Sequence, residues 1–504
     1  MEVQFNREQI PFITILPIVL VGILLGEAID LSWIVAAVGV AISAVMLLLF
    51  SNRRYIKEVY GVLLILCSAL TMTDLRAVES KLPHDTPIEV VMEIRDNPTT
   101  TSGGYLRTTA HITAYRGSGD EGWTQTREKL FVITPPSTPL ALGKLYRAEL
   151  RVSEIASEGW ESYARLMHRR GYTGSAFVGE GAVAEIAGES VSPLLTFGAR
   201  NQSAAQHTLS RLNLEPGAMA ITEAMTIGVR DNITPELRDS YAQSGASHLL
   251  AVSGLHVGIV VLLVNTLLRP LLLVRGGHRW RNLIAMAAIW LYTVLTGCAP
   301  STVRAAFMFS GAMYASTQSL NRNPINILLA TATVMLLWNP NTLYDISFQM
   351  SFMAVLGIAL LYRPIYEFGK SSYRATNALW SSTSVAIAAT LMTAPILAHT
   401  FGLLPIAGVL ISPLLVLAAY IVVSVSLVWL ILPTDWLAEV CSYVIGGVAS
   451  LQNRIVEISA EQWWISAEVS LPDWAAIAIY IGLIVGYIVY YTIRQTSKTK
   501  QQTV

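Results

Sequence analysis

One apolar run of this chain opens with two serines and two histidines. The segment SHLLAVSGLHVG, residues 247–258, precedes a run that stays apolar to Leu273. Such a run is long enough to cross a bilayer, and polar groups at that depth usually face a bundle interior or a water-filled path. His248 and His256 are eight residues apart, about two helical turns, so we expect them on one helix face with Ser253 near it.

The types and spacing of these side chains allow three interpretations. The first is a packed helix start whose histidines are satisfied by hydrogen bonds, and the second is a helix that lines a substrate path. The third is an intramembrane hydrolase with Ser253 as nucleophile and His256 as base, although this pair arises easily by chance at helical spacing. Gly254 and Gly258 form a small-xxx-small pair, which predicts close approach of a neighbouring helix.

A permanent cation follows in the segment APSTVRAA, residues 299–306. Pro300 is expected to begin a helix, and Arg304 lies one turn into it. A guanidinium does not lose its proton, so in an apolar segment it needs a partner, water or a passing anion. Arg304 therefore either extends to the outer interface or contacts phosphate at the mouth of a conduit.

The segment DISFQMSF, residues 345–352, begins a further apolar run. Asp345 suits a helix N-terminus, where a carboxylate caps backbone amides and complements the helix dipole. It is also a candidate partner for Arg304, because both are expected near the outer boundary. Gln349 lies deeper, where its amide is expected to bond a neighbouring helix.

Several catalytic patterns are absent from the sequence. There is no G-x-x-x-x-G-K-[ST], so the chain has no P-loop for an ATP-driven motor. HxHxDH and HExxH are absent as well, and the eight histidines are scattered, which argues against a metal hydrolase. Cys67, Cys298 and Cys441 lie far apart and indicate neither a disulfide framework nor a metal site. We expect no catalytic residue, no bound metal and no cofactor.

Composition places these residues in a membrane protein. Of 504 residues, 53% are hydrophobic and only 13% are charged, whereas globular proteins have about 25% charged residues. The net charge is zero, so bulk electrostatics do not indicate a polyanionic partner. The first apolar run is long and is followed at once by a second, so we expect an anchor and not a cleaved signal.

The apolar runs predict a polytopic α-helical membrane protein of about 12 transmembrane helices. The expected divisions are a membrane segment of three helices (1–73), an extracytoplasmic β domain (74–190), amphipathic linking helices (191–245), a transmembrane domain of nine helices (246–493) and a tail (494–504). The strongly basic loops all fall on one side of this arrangement. By the positive-inside rule both termini are cytoplasmic and the lipid bilayer is the solvent of most of the chain.

Residues 74–190 alternate apolar and polar positions between turn residues, which predicts strands. The expected strands are Ile88–Arg95, Tyr105–Tyr115, Lys129–Thr134, Tyr146–Ile155 and Thr173–Val178, with a short helix at Glu161–Arg170. Five strands and one helix suit a small β-barrel insert of OB type.

Such barrels often bind single strands through aromatic residues in a basic groove. The aromatic residues available for this are Tyr105, Tyr115, Trp123, Trp160 and Tyr163. The domain, however, has 13 Lys and Arg against 16 Asp and Glu, a net charge of −3. This balance favours a structural barrel over one that binds nucleic acid.

Three segments carry a family resemblance. SHLLAVSGLHVG, PSTVRAAFM and DISFQMSFMAVLGI occur in this order. They resemble the signature segments of the competence domain of ComEC-type proteins, the inner-membrane DNA channels of natural transformation. YARLMHRRGY, residues 163–172, is similar to the end of that family's extracytoplasmic domain. The resemblance implies a substrate path lined by His248, Ser253, His256, Arg304, Asp345 and Gln349.

The resemblance also implies partners. These are single-stranded DNA as the transported molecule, a cytoplasmic helicase-type ATPase and an extracytoplasmic DNA receptor, and a homo-oligomer is compatible with the family. Many members continue into a metallo-β-lactamase-like domain, proposed to degrade the other strand, and some carry a cysteine pair in the barrel. Neither feature is found in this sequence, so we expect strand degradation to come from another protein.

The sequence therefore predicts a channel component for import of single-stranded DNA during natural transformation. One alternative is a transporter or envelope protein that uses the same polar helices for another anionic substrate. The hydrolase at Ser253 is the other alternative.

Overall fold

The chain is described by a computed structural model, and helices make up most of the described residues. These residues are 11–29, 33–49, 54–76, 80–96, 98–101, 103–117, 122–138, 140–155, 164, 167–186, 193–318, 323–405, 408–462 and 466–502. They form two compact units. One joins Pro11–Ala204 with Leu329–Asp345, and the other joins Ala205–Leu328 with Ile346–Val504.

Helices are present in both regions that were expected to cross the membrane, 1–73 and 246–493. The helices are α1 (Phe12–Ala28), α2 (Trp33–Leu49), α3 (Arg54–Leu75), α4 (Pro193–Ser210), α5 (Pro216–Thr226), α6 (Pro235–Gln243), α7 (Gly254–Leu267), α8 (Gly277–Leu295), α9 (Pro300–Thr317), α10 (Pro324–Trp338), α11 (Ile346–Phe368), α12 (Arg374–Phe401), α13 (Gly408–Ile431), α14 (Asp435–Ala460) and α15 (Asp473–Gln502). Short 3₁₀ turns cover Ser247–Leu249, Arg269–Leu273 and Pro340–Tyr344.

Long apolar helices identify a membrane protein. Within the described residues, five are long and apolar enough to cross a bilayer: Glu58–Leu75, Ile346–Phe368, Arg374–Phe401, Gly408–Ile431 and Trp474–Thr492. Helices α1, α2, α7 and α10 are apolar but shorter. The total of about 12 crossings stays a prediction, because a helix of fewer than about 17 residues spans the hydrocarbon core only where the bilayer thins.

The β domain contains all five expected strands and two short additional ones. Its strands are β1 (Pro87–Ile94), β2 (Thr99–Thr100), β3 (Leu106–Gly117), β4 (Thr124–Thr134), β5 (Leu145–Ser153), β6 (Tyr172–Phe177) and β7 (Val183–Ile186). β1 pairs with both β3 and β5, β3 pairs with β4, and β6 pairs with β4 and β5. Five strands thus form a closed ring of pairings, in which only β4 and β6 run parallel.

Alternating side chains fill the interior of this ring. Its core includes Ile88, Val90, Met92, Ala110, Ile112, Leu130, Val132, Ala148, Leu150 and Val152. Gly174 allows β6 to approach β5, because a Cβ there would lie 2.5 Å from Cγ1 of Val152. The expected helix at Glu161–Arg170 lies largely outside the described residues.

Helix α5 is buried on all sides, as its residues from Ala220 to Thr226 show. It packs against α13 and α14 in the largest core cluster of its unit. Among residues 191–245, α5 is therefore a core helix and not an amphipathic link, because an amphipathic helix needs one polar face. Glu223, on this helix, is held by the side-chain amide of Asn232 at 2.7 Å.

Candidate functional site

The segment 247–273 does not form one helix, so the predicted shared face of His248 and His256 is wrong. His248 lies in a 3₁₀ turn, is exposed, and donates from Nδ1 to the Gly245 carbonyl at 3.2 Å. Ser253 then adopts an extended backbone conformation, and α7 begins only at Gly254. The helix ends at Leu267, before a separate 3₁₀ turn. Periodicity over the whole run cannot reveal such a break, because the residues on both sides of it are apolar.

Ser253 and His256 form a reciprocal cap at the start of α7. The backbone N–H of Ser253 donates to His256 Nδ1 at 2.9 Å, and the Ser253 hydroxyl lies 3.0 Å from the same nitrogen. A backbone N–H can only donate, so Nδ1 is an acceptor and the neutral imidazole carries its proton on Nε2. His256 is completely buried, with 0% of its surface exposed.

This arrangement bears on whether Ser253 is a nucleophile. A base must accept the hydroxyl proton with a free lone pair, and the Nδ1 lone pair already accepts the Ser253 backbone N–H. The pair therefore has the geometry of a helix cap more than that of a nucleophile and its base.

The two glycines of this segment lie against α9. A Cβ built at Gly254 would lie 3.7 Å from the Ala305 Cβ, and one at Gly258 would lie 3.4 Å from Cζ of Phe309. Small residues at such positions allow helices to approach closely. The Ser301 hydroxyl strengthens the same contact, because it donates to the Val252 carbonyl at 2.6 Å.

Arg304 lies inside the protein, with 3% of its surface exposed. Its guanidinium donates to the Ser347 hydroxyl at 2.8 Å, which joins α9 to the first turn of α11. Two hydrogen bonds thus connect the three segments singled out in the sequence, one between Ser301 and Val252 and the other between Arg304 and Ser347. Gln349 is half-buried in the first turn of α11.

Asp345, the residue before α11, is paired with Arg170 at 3.1 Å. Arg169 stacks over Tyr344 at 3.6 Å, and both reach Glu27, which accepts a 2.6 Å hydrogen bond from the Tyr344 hydroxyl. These residues belong to one unit and form a charged network at the end of the barrel segment. Pairing of Asp345 with Arg304 remains a prediction.

The aromatic residues named from the sequence have structural contacts. Tyr105 packs edge-to-face on Phe177. The guanidinium groups of Arg116 and Arg147 lie 5.2 and 5.5 Å from the centre of the Trp123 ring. Trp160 and Tyr163 lie outside the described residues.

Sequence reasoning missed a second group on the outer face of the barrel. The rings of Phe131 and Tyr172 stack at 4.1 Å, with Arg107 and Lys129 over their faces at 5.4 and 6.0 Å. Burial lowers the pKa of Lys129, helped by Arg76 and Arg95. Alternation along β4 is a signal that could have placed Phe131 on the outer face. Its partner Tyr172, on a parallel strand 41 residues later, could not be identified from the sequence.

His111 lies beside this group on β3. Burial, together with the charges of Arg95 and Lys129, lowers the pKa of His111 to about 4. The His111 imidazole is therefore neutral at physiological pH. The positive charge beside it comes from Arg95, Arg107 and Lys129.

No metal site is formed in the part of the chain that the structure describes, since no three His, Cys, Asp or Glu side chains come together there.

Comparisons with known proteins identify the family. The family model described as competence protein matches residues 225–492, just over half of the chain. ComE operon protein 3 of Bacillus subtilis (strain 168) is 32% identical over 213 residues, 42% of this chain and 26% of that protein. An uncharacterized protein of Aquifex aeolicus (strain VF5) is 28% identical over 185 residues, 36% of this chain and 40% of that protein.

The matched region thus spans about a quarter of the first relative and two fifths of the second. No solved structure matches the chain. The family match contains all three polar segments and the hydrogen bonds that join them. The chain is a member of the ComEC-type competence protein family.

Proposed function

We propose that this membrane protein takes part in DNA uptake, as a channel component through which single-stranded DNA enters the cytoplasm during natural transformation. The family membership supports a role in competence. The proposal adds that the transported DNA strand passes through this chain.

The buried guanidinium of Arg304 is the observation that carries it. A permanent cation is costly in an apolar helical bundle, and charged residues inside such bundles often mark the path of an ion or substrate. The residue lies between the two other polar segments and is tied to one of them through Ser347. A polyanion crossing here would meet a fixed positive charge supported by α9 and α11.

The proposal includes the membrane arrangement predicted from the sequence. About 12 helices cross the inner membrane and both termini are cytoplasmic, which the one-sided distribution of basic loops supports. The β domain is an extracytoplasmic barrel of OB type. Its strand order supports this, because β1-β3-β4-β6-β5 closing on β1 is the five-stranded Greek-key order of that fold.

We propose no catalytic activity for the chain. The engaged Nδ1 of His256 argues against a hydrolase at Ser253. With no P-loop in the sequence, the energy for import would come from a cytoplasmic helicase-type ATPase, and an extracytoplasmic receptor would deliver the DNA.

The test is uptake of end-labelled duplex DNA in a deletion strain, scored separately outside and inside the cytoplasmic membrane. The expected result is label that accumulates outside while cytoplasmic single strands disappear. Complementation with wild-type protein should restore import, and complementation with Arg304→Ala should not.

Arg363→Ala is the matched control, since Arg363 is partly exposed, lies towards the other end of α11 from Ser347 and pairs locally with Glu367 at 2.9 Å. Unchanged cytoplasmic label in the deletion strain would refute DNA import. It would favour transport of another anionic substrate.

A further inference from the structure

Two buried polar groups on α7 and α8 have no hydrogen-bond partner among the described residues. They are Nε2 of His256, which is 0% exposed, and the hydroxyl of Tyr292, which is 4% exposed. Buried polar atoms are nearly always paired, so each unpaired one indicates a missing partner or a specific role. The cap at Ser253 fixes His256 as an Nε2–H donor, and the Tyr292 hydroxyl is also able to donate.

Both donors lie at the same end of one group of helices. Helix α7 begins at Gly254, α8 ends at Leu295 and α9 begins at Pro300. With a rise of about 1.5 Å per residue, His256, Tyr292 and Arg304 are each within roughly 6 Å of that end. The three helices share one apolar core, which includes Val257, Ile289, Ala305 and Ala306.

The formal charges on these three helices near this end are of one sign. Arg304 supplies a fixed cation, and the segments of α7, α8 and α9 contain no Asp or Glu. Two unpaired donors and a cation, without an acid on the same helices, complement an anion that has several acceptor oxygens. A phosphodiester group has this chemistry, with one negative charge shared by two oxygens.

We propose that His256 Nε2–H and the Tyr292 hydroxyl bind a phosphodiester group of the transported strand beside Arg304. This inference rests on the proposed function and extends it by adding Tyr292, which no sequence pattern indicated. It also assigns His256 the role of a neutral donor and not of a charged or catalytic histidine.

The probes are a fluorescent oligothymidylate and its methylphosphonate analogue, which keeps the bases but lacks the backbone charge. Their binding to the purified full-length protein in nanodiscs is measured at fixed salt. Tyr292→Phe and His256→Leu should each weaken phosphodiester binding about tenfold, the usual effect of losing a hydrogen bond to a charged group. His256→Gln, which restores an N–H at the Nε2 position, should recover most of what His256→Leu loses.

The Tyr292→Phe variant distinguishes a ligand-binding role of the hydroxyl from a purely structural role. A purely structural hydroxyl without a partner predicts unchanged binding and unchanged or higher thermal stability, because the change removes a buried unpaired group. The proposal predicts weaker binding with the same stability gain. Tyr314→Phe, at an exposed tyrosine towards the other end of α9, is the matched control and should bind as wild type.

Three results would overturn the proposal. One is phosphodiester binding unaffected by Tyr292→Phe and His256→Leu, and another is equal loss of methylphosphonate binding. The third is competition by phosphatidylglycerol that follows the same variants, which would assign the site to a lipid headgroup. If the deletion strain loses DNA import while both variants bind and import normally, the proposed function stands and this inference fails. If the deletion strain imports DNA normally, the proposed function fails whatever the binding results.

Discussion

Arg304 donates a hydrogen bond to Ser347 across 2.8 Å, although 43 residues separate them in the chain. The bond links a buried cation on α9 to the first turn of α11. Together with the bond from Ser301 to Val252, it gathers three polar segments at the starts of three different helices.

Substitution of Arg304 should reduce transformation with little effect on membrane insertion. We expect Arg304→Ala to lower transformation frequency about tenfold or more, since an interaction with a charged group is lost. Arg304→Lys should be intermediate, because lysine keeps the charge but not the planar fork of donors. Ser347→Ala should have a smaller effect, about threefold. Normal frequency in Arg304→Ala, with normal protein in the membrane fraction, would contradict the site assignment.

The ion pair between Arg170 and Asp345 can be tested by charge exchange. Arg170→Asp and Asp345→Arg should each lower the melting temperature of the purified protein, and the double variant should recover part of the loss. The coupling energy should be at most about 1 kcal/mol, because Arg170 is partly exposed. Strictly additive single effects would show that the pair contributes nothing to stability.

Gly357 is a packing position on α11. A Cβ there would lie 2.4 Å from the Ala388 carbonyl oxygen and 2.7 Å from Cγ of Met392 on α12. We expect Gly357→Ala to destabilise the protein by about 1–3 kcal/mol, as overpacking does. Gly482→Ala on α15 is the control, because no atom beyond its chain neighbours and the adjoining helix backbone lies within 4 Å of its added methyl group. Thermal unfolding in detergent compares the two, and equal melting temperatures would disprove the close contact.

His111 should make the barrel sensitive to acid. Its pKa falls from an ordinary 6.5 to about 4 in the fold, so the unfolded chain binds a proton at higher pH than the folded chain does. Stability is therefore complete above about pH 6.5 and is lost as the pH falls towards 4. His111→Gln should flatten this part of the profile. Calorimetry at pH 7 and pH 5 measures the difference, and an identical pH dependence in the variant would rule out His111 as the cause.

Local sequence patterns were sufficient to locate most helices and strands of this fold. Apolar runs predicted the positions of α1–α3 and α7–α15, and two-residue alternation predicted β1, β3, β4, β5 and β6. Both signals depend on residues close in the chain. The pattern of apolar and polar side chains within one helix or strand decides which of its faces is buried. The polarity of the three family segments was likewise evident from the sequence.

Contacts between distant segments were not visible. Tyr292 looked like any tyrosine in an apolar helix, and only burial beside α7 and α9 revealed a hydroxyl without a partner. The break before Gly254, which separates His248 from His256, depends on a backbone turn among apolar residues. The residues paired between β1 and β5 are 52 to 64 positions apart, and Arg170 is 175 positions from its partner Asp345. Periodicity carries no information about such pairs, because they are selected by the shape and charge of packed surfaces that exist only after the chain has folded.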